Sequence, residues 1–430
     1  MENYHSILLT CCIIGVSSCS SGSANRDAHV IDVEAAVGTG AIKNASDYIK
    51  EFTYIPLETK ENSLVDASIR NILVENKRIY IYSAGFGDYA GRVTIFDMSG
   101  LYISTLDKRG RGPGEYFTSR DVSITPSGNI LVTSMAGGTF EYDHDFKLIR
   151  YLRPKEDPGI GPMDGWAYDN LTVLKEGLYA LNAYEFDFKA SIEKRLFTIY
   201  DSSGETFFSE VIQRMMNGTP DDRLYIRREN NQYLQDNKLS IYRPETDSIF
   251  SIDFEKGYSK SLRYVFNLGK YGLKVSLKDA TSTKEYYDAN KNSILIKKIL
   301  ESNNHIFIEF NFRDFAPEPF RVEEETRTAI GITRTRPSYV DRRVYGIYNK
   351  RENKLTLLNQ PVPGMLGLKN NLDSGPPVFW PMYMTSKKEL ISYYTAMEMT
   401  ELIEKGVVDK ELFGNITEND NPIIVIAKEK

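Results

Sequence analysis

The sequence predicts an all-β chain closed into a six-bladed β-propeller, with the ring sealed by strands from the two chain ends. Three observations predict it. From about Asp47 onward, short runs rich in Ile, Val, Tyr, Phe and Thr alternate with clusters of Gly, Asn, Asp and Ser, the pattern of strands and turns. A hairpin signature, an aromatic residue followed by a polar turn and a second strand, recurs five times. The intervals between its aromatics are 46, 58, 42 and 106 residues, and the first three suit one four-stranded sheet per repeat of ~40–50 residues. A ring of repeats also explains how 430 residues form one unit, when single cores stop growing near ~250–300 residues.

In chain order, Ile7–Val16 is an apolar run of ten residues, far short of the ~20 needed to span a bilayer and of signal-peptide length. Val16-Ser17-Ser18-Cys19 follows and resembles the bacterial lipobox, in which an aliphatic and two small residues precede the cysteine that takes the lipid. That resemblance implies a signal peptide over residues 1–18 and a mature chain anchored to the membrane at Cys19. The first six residues carry Glu2 and no Lys or Arg, where signal peptides normally carry positive charge. Either the natural start lies upstream or the leader is atypical. Residues 19–46 open on Ser20–Asp27, a small polar stretch suited to a flexible tether.

The propeller is expected over residues 47–430. Tyr48–Glu58 reads as an N-terminal strand. Arg78–Ser83, Val93–Asp97, Asn129–Thr133 and Arg195–Asp201 read as blade strands. The five hairpins start at Phe96, Tyr142, Tyr200, Tyr242 and Tyr348, with Asp, Asn, Ser or Gly supplying each turn. Residues 272–292 look partly helical, and 314–341 is a charged, Pro-containing excursion; these lengthen the last interval. Glu389–Tyr394 and Asn421–Lys428 are strand-like, separated by a helical stretch, Ala396–Lys405. Pairing the N-terminal strand with these would close the ring and leave no open sheet edge at the joint.

Composition excludes several classes. There are 59 acidic against 53 basic side chains, without the cationic surplus of a nucleic-acid binder. A mean hydropathy of -0.38 excludes a multi-span membrane protein. The three cysteines, Cys11, Cys12 and Cys19, all lie in the leader region, and His5, His29, His144 and His305 are far apart. Disulfide frameworks and Cys- or His-based metal centres are therefore not expected, and no cofactor is predicted. The chain has no GxSxG, HExxH or GxxxxGK motif.

Several segments together resemble a known family. Arg109–Tyr116 (RGRGPGEY) directly follows the first hairpin. Tyr54–Glu58, Asp247–Phe250, Ser374–Pro381 and Asp420–Lys428 accompany it. These segments resemble the six-bladed β-propeller lipoproteins of gut-commensal Gram-negative bacteria, over about residues 47–430. The resemblance implies an exported, lipid-anchored propeller at the cell envelope, on the outer membrane, facing the periplasm or the surface. It supplies no catalytic residues.

The ligand-binding candidates are Arg109, Arg111, Glu115, Tyr116 and Trp380. Arg109 and Arg111 can present guanidinium forks to a carboxylate, sulfate or phosphate, with Glu115 orienting one of them. Equally, three glycines and a proline can make RGRGPGEY a structural crossing between blades, with Tyr116 packed beneath. Trp380, in the proline-rigid SGPPVFWP loop, is either an exposed stacking platform for a sugar or a blade-packing residue. Trp166 carries the same ambiguity. Arg327, Arg334, Arg336, Arg342 and Arg343 concentrate positive charge in the excursion, and Glu323–Glu325 offer to neutralise it. The expected function is a lipid-anchored binding or interaction module for a glycan, peptide or envelope protein partner. The alternative is a channel-centred enzyme, either a calcium-dependent lactonase or hydrolase with oxygen ligands or a glycan-active type with paired carboxylates.

Overall fold

The computed structural model describes residues 28–430, apart from 67–68, 84–90, 136–137, 156–166, 188–191, 216–231, 245, 277–278, 323–324, 328–332 and 336–338. The leader, the lipobox with Cys19, and Trp166 lie outside the described residues.

Six sheets form the ring, a six-bladed β-propeller. Blade I is Ile69–Glu75, Arg78–Ser83, Val93–Asp97 and Tyr102–Leu106. Blade II is Asp121–Ile124, Ile130–Thr133, Thr139–Tyr142 and Leu148–Leu152. Blade III is Ala167–Lys175, Leu178–Asp187, Ile192–Asp201 and Thr206–Met215. Blade IV is Gln232–Gln235, Lys238–Arg243, Ser248–Asp253 and Ser259–Asn267. Blade V is Leu295–Glu301, His305–Asn311, Arg343–Asn349 and Lys354–Leu357. Blade VI is Tyr383–Met384, Leu390–Tyr394, Ile423–Glu429 and, from the start of the chain, Ile49–Pro56. Ile49 pairs with Glu429 and Pro56 with Ile423, so the expected joint between the chain ends is present. Ile423–Ala427 is fully buried, as its unbroken apolar run requires.

All five expected hairpins form. Four of their turns share one device, a carboxylate or amide oxygen just after the aromatic that accepts backbone N–H groups two to four residues ahead. Asp97 accepts from Ser99 and Leu101, Asp143 from Asp145 and Lys147, Asp201 from Ser203 and Glu205, and Asn349 from Arg351 and Glu352. The Tyr242 hairpin differs. It joins the second and third strands of its blade, while the other four join the third and fourth. In blade IV the equivalent turn follows Asp253, which accepts from Lys256, so the irregular spacing of the aromatics reflects a one-strand shift.

The expected helix in 272–292 is Thr283–Asn290, capped by Ser282. The other is Ala396–Glu404, opened by a Thr395–Glu398 capping box. The excursion sits between the second and third strands of blade V. Its backbone is a hairpin: Phe320–Val322 pairs with Tyr339–Asp341, and Glu325–Arg327 with Thr333–Thr335.

The tether expected over 19–46 requires correction from His29 onward. His29–Asp32 adds to blade IV as a fifth strand, parallel to Ser259–Asn267. Ala41 then bridges Leu358 of blade V, and Asn44 bridges Lys369. Ile31 and Val33 are 0% exposed, in one apolar cluster with Tyr264, Phe266 and Phe310. Gly40 passes so close to Asn359 that a Cβ would lie 2.1 Å from its side-chain oxygen. A small-residue stretch without strand alternation reads as a tether, but here it is a strap across three blades.

Because strands alternate in direction, two kinds of link share one face of the ring: those between blades and those between second and third strands. That loop face carries the RGRGPGEY loop, the excursion and the Ala396–Glu404 helix. The opposite face carries tight turns, such as Asn76-Lys77 and Asp236-Asn237, in which both residues have positive φ, the geometry that matches strand twist.

Candidate functional site

The innermost strands surround the central channel, and at its loop-face mouth they share an irregularity. In blade I the register shifts between Ile69 and Asn71, leaving Arg70 as a bulged residue. Asp169 is bulged in blade III and Lys297 in blade V. Blades II and VI show the same doubling: Arg120 donates its N–H to Thr133, which also pairs with Asp121, and Met382 donates to Ile391, which pairs with Tyr383. A bulge re-aims a side chain and recurs at rims and sites. Here it presents Arg70, Arg120, Asp169, Lys297 and Met382 at one level of the ring.

The next residue of each strand staples one blade to another. Asn71 reaches Asp121 at 3.5 Å, and Asp121 accepts the N–H of Leu171 at 3.3 Å. Asn182 donates to Asn170 at 3.0 Å and to Gln232 at 2.7 Å. The Lys298 ammonium stands 4.7 Å from the Tyr383 ring, and the Tyr383 hydroxyl donates to the Arg70 carbonyl at 3.3 Å. Between blades IV and V, Tyr233 donates to Glu301 at 2.8 Å, so each of the six seams has an inner-strand bridge.

The electrostatics of the mouth follow. Arg120 pairs with Asp169 at 2.9 Å. Burial raises the Asp121 carboxyl to about 6, against the opposing pull of the Leu171 and Val122 N–H groups and the Arg70 charge. Tyr184 is also raised, first by burial, and the charges of Arg120, Asp169 and Arg70 all reach it. Across the tight-turn end, the Lys388 ammonium of blade VI donates to the Leu234 carbonyl of blade IV at 2.5 Å. Among the described residues, no three His, Cys, Asp or Glu side chains converge as a metal-binding group.

Residues 28–428 match a family described as a domain of unknown function, DUF4934. The chain belongs to that family. No curated protein matches the sequence. Among solved structures it is similar to a member of the DUF4221 family from Bacteroides vulgatus, at 12% identity, covering 89% of this chain and 97% of that one with a TM-score of 0.46. It is also similar to BamB from Moraxella catarrhalis, at 8% identity, 73% and 99% coverage and a TM-score of 0.28. The Dos1 propeller gives 13% identity, 73% and 76% coverage and a TM-score of 0.32. These identities are too low to carry a function.

In this DUF4934 chain the candidates read from the sequence are not brought together at the channel mouth. Arg109–Tyr116 forms the crossing from blade I to blade II. Tyr116 is 0% exposed within the inter-blade core and donates its hydroxyl to the Gly91 carbonyl at 2.7 Å. Glu115 accepts the Gly112 N–H at 2.9 Å, and a Cβ on Gly110 would lie 1.8 Å from its carboxylate. Arg109 pairs with Asp107 at 2.9 Å, and Asp107 also takes Arg92 at 2.7 Å. Arg111 is exposed and lies over the 60%-exposed Phe117 ring at 4.5 Å. Trp380 is 9% exposed, stacked on Tyr345 at 4.1 Å and edge-on to Phe307, so its indole packs blades V and VI together. In the excursion, Arg342 faces Asp314 at 3.7 Å and Arg343 pairs with Asp341; the side chains of Arg327, Arg334 and Arg336 lie outside the described residues.

Sequence reasoning passed over Arg70, Arg120, Asp121 and Asp169. Their one shared signal is a charged residue at the start of an innermost strand: Arg70 is second and Asp169 third in theirs, while Asp121 is first in its own with Arg120 just before it.

Proposed function

We propose that this protein is a lipid-anchored component of the bacterial envelope whose propeller binds a ligand over the loop-face mouth of its channel. The finer kinship with lipoproteins bearing the RGRGPGEY signature, the anchor at Cys19 and the outer-membrane location belong to this proposal. They are supported by the lipobox resemblance and the polar stretch after it.

The observation that carries the binding reading is the ring of bulges, which aims charged side chains at the mouth while the carboxylates there already have protein partners. Asp169 is held by Arg120, and Asp121 by the Leu171 N–H and Asn71. Carboxylates so engaged orient arginines and shape a receptor. Hydrolysis of a glycoside needs two acids free to face a substrate.

A glycan, peptide and metabolite array on the full-length protein, read by thermal shift with and without calcium, tests the binding reading. Stabilisation without turnover supports it, and product release overturns it in favour of the lactonase or glycan-active alternative. The specific observation favouring that alternative is Asp121, whose pKa of about 6 suits an acid–base role near neutral pH. Cys19→Ala tests the anchor separately: lipid labelling should vanish and the protein should become soluble, and unchanged membrane retention would sink the lipoprotein assignment.

A further inference from the structure

We propose that the bulge ring is a receptor for a monoanionic carboxylate, with Arg70 as its anchor. This inference rests on the binding reading above and names the ligand chemistry of that same site.

Arg70 is half-buried and, among the described residues, its guanidinium makes no hydrogen bond or ion pair. Its charge acts on Tyr82 of its own blade, on Asp121 of blade II and on Tyr184 of blade III. Geometry agrees: Arg70 is the bulged residue of its strand, its carbonyl takes the Tyr383 hydroxyl of blade VI, and the adjacent Asn71 reaches Asp121 of blade II, which sets it at the loop-face mouth. A half-buried arginine with a planar fork of donors left open matches a carboxylate or phosphate in geometry.

Charge separates those two. Among the described residues, Arg70, Arg120, Lys297 and Lys298 face Asp121, Asp169 and Glu309, the cross-strand partner of Lys298, at or just below the ring, a surplus of one positive charge. One carboxylate neutralises it. A phosphate or sulfate dianion would bring an excess charge into a site already holding three carboxylates. The Lys388 strut across the tight-turn end leaves the loop face as the side of approach.

The site is also coupled to protons. The groups facing Asp121 are Arg70, Tyr82 and the Asn71 amide of blade I, and Asp169 of blade III, itself paired with Arg120, with the Leu171 N–H. Its carboxyl titrates near 6, whereas a ligand carboxylate near ~3.5 stays ionised. Protonating Asp121 therefore removes one repelling charge and leaves the ligand's charge intact, so binding tightens as the pH falls.

The test is isothermal titration of the full-length protein with galacturonate and galactose, which differ only in the carboxylate, and with inorganic phosphate and sulfate. At pH 7.5, where phosphate is mainly a dianion, galacturonate is expected to bind at least ~10-fold more tightly than galactose, phosphate or sulfate, and to gain several-fold on lowering the pH to 5.5. Arg70→Gln should erase the preference and Arg70→Lys should keep part of it. Because the Arg70 guanidinium bonds no described protein group and its backbone carbonyl is kept in the variant, Arg70→Gln should melt near the wild type. Should it melt lower, exposed Lys297→Gln replaces it as the decisive variant and should weaken galacturonate several-fold. Equal affinity for galactose, a preference for a dianion, or unchanged galacturonate affinity in both variants overturns the inference. A neutral ligand that binds regardless of Arg70 would leave the binding module standing while removing this inference.

Discussion

The two halves of the ring are held differently. On blades I to III the outermost strands, Tyr102–Leu106, Leu148–Leu152 and Thr206–Met215, end their sheets. They show apolar side chains outward, Ile103 at 42% and Val211 at 52% exposed. On blades IV and V the strap covers what would be equivalent edges: His29–Asp32 pairs with blade IV and Ala41 bridges blade V. Blade VI ends on the chain's own Ile49–Pro56, whose outer Glu51 pairs with Lys428, a charged edge of the kind that resists strand addition. The seams differ in the same sense. Between IV and V, Glu301 is 1% exposed and holds Arg263, Lys350 and Tyr233. Between I and II, the Arg92–Asp107–Arg109 cluster is about one-third exposed. The strapped half carries the joint between chain ends, where a ring would open first. The bare half carries Arg70, Arg120, Asp121 and Asp169, where the polar mouth is densest.

This contrast can be broken at several points. Glu301→Gln should have the largest effect. Burial alone would raise that carboxyl, but Arg263 and Lys350 hold it below its usual value. Removing its charge strands two cations, at about 3–5 kcal/mol, while Asp107→Asn in the open seam should cost ~1 kcal/mol or less. Urea unfolding compares them, and equal losses would erase the distinction. Next is the strap. Ile31→Ala should cost about 2–5 kcal/mol, against about 0.5 kcal/mol for Ile103→Ala on a bare edge. A strap variant as mild as the edge variant would return His29–Asp32 to the status of a tether. Smaller still, Glu115→Ala removes one turn-closing hydrogen bond and should cost about 1 kcal/mol, visible as a modest drop in melting temperature.

The pH effect is the subtlest. Asp121 has a folded pKa of about 6 against an ordinary 3.8, so the folded state holds its proton more tightly than the unfolded chain. Its contribution is fully present below pH 4 and is lost as the pH rises towards 6. Asp121→Asn should remove that decline; urea midpoints at pH 4 and 7 that shift identically in the two proteins would refute it.

Much of the ring was legible because blades repeat local chemistry. The aromatic-Asp turns at Asp97, Asp143 and Asp201 announce themselves in a dozen residues, and the apolar run of Ile423–Ala427 fits only a strand buried on both faces. The strap was not legible. Its strand pairs in parallel with residues more than two hundred positions away, and Val30 to Val37 carries no alternation that betrays it. Trp380 was ambiguous for the same reason, since the Tyr345 ring that covers it arrives from another blade. The bulges were the least visible. One inserted residue at Arg70 or Asp169 leaves composition and period unchanged, yet it turns a side chain from the sheet towards the channel.

The sharpest comparison pits the mouth of the channel against the most distinctive sequence motif. Once a ligand is found on the array, its affinity should be measured by titration calorimetry for the wild type, Arg70→Gln and Arg111→Gln. A channel-mouth receptor predicts that Arg70→Gln weakens binding at least ~10-fold, or ~1.4 kcal/mol, while Arg111→Gln binds as the wild type does. The reverse pattern, loss with Arg111→Gln and none with Arg70→Gln, would place the binding surface on the RGRGPGEY loop and contradict it.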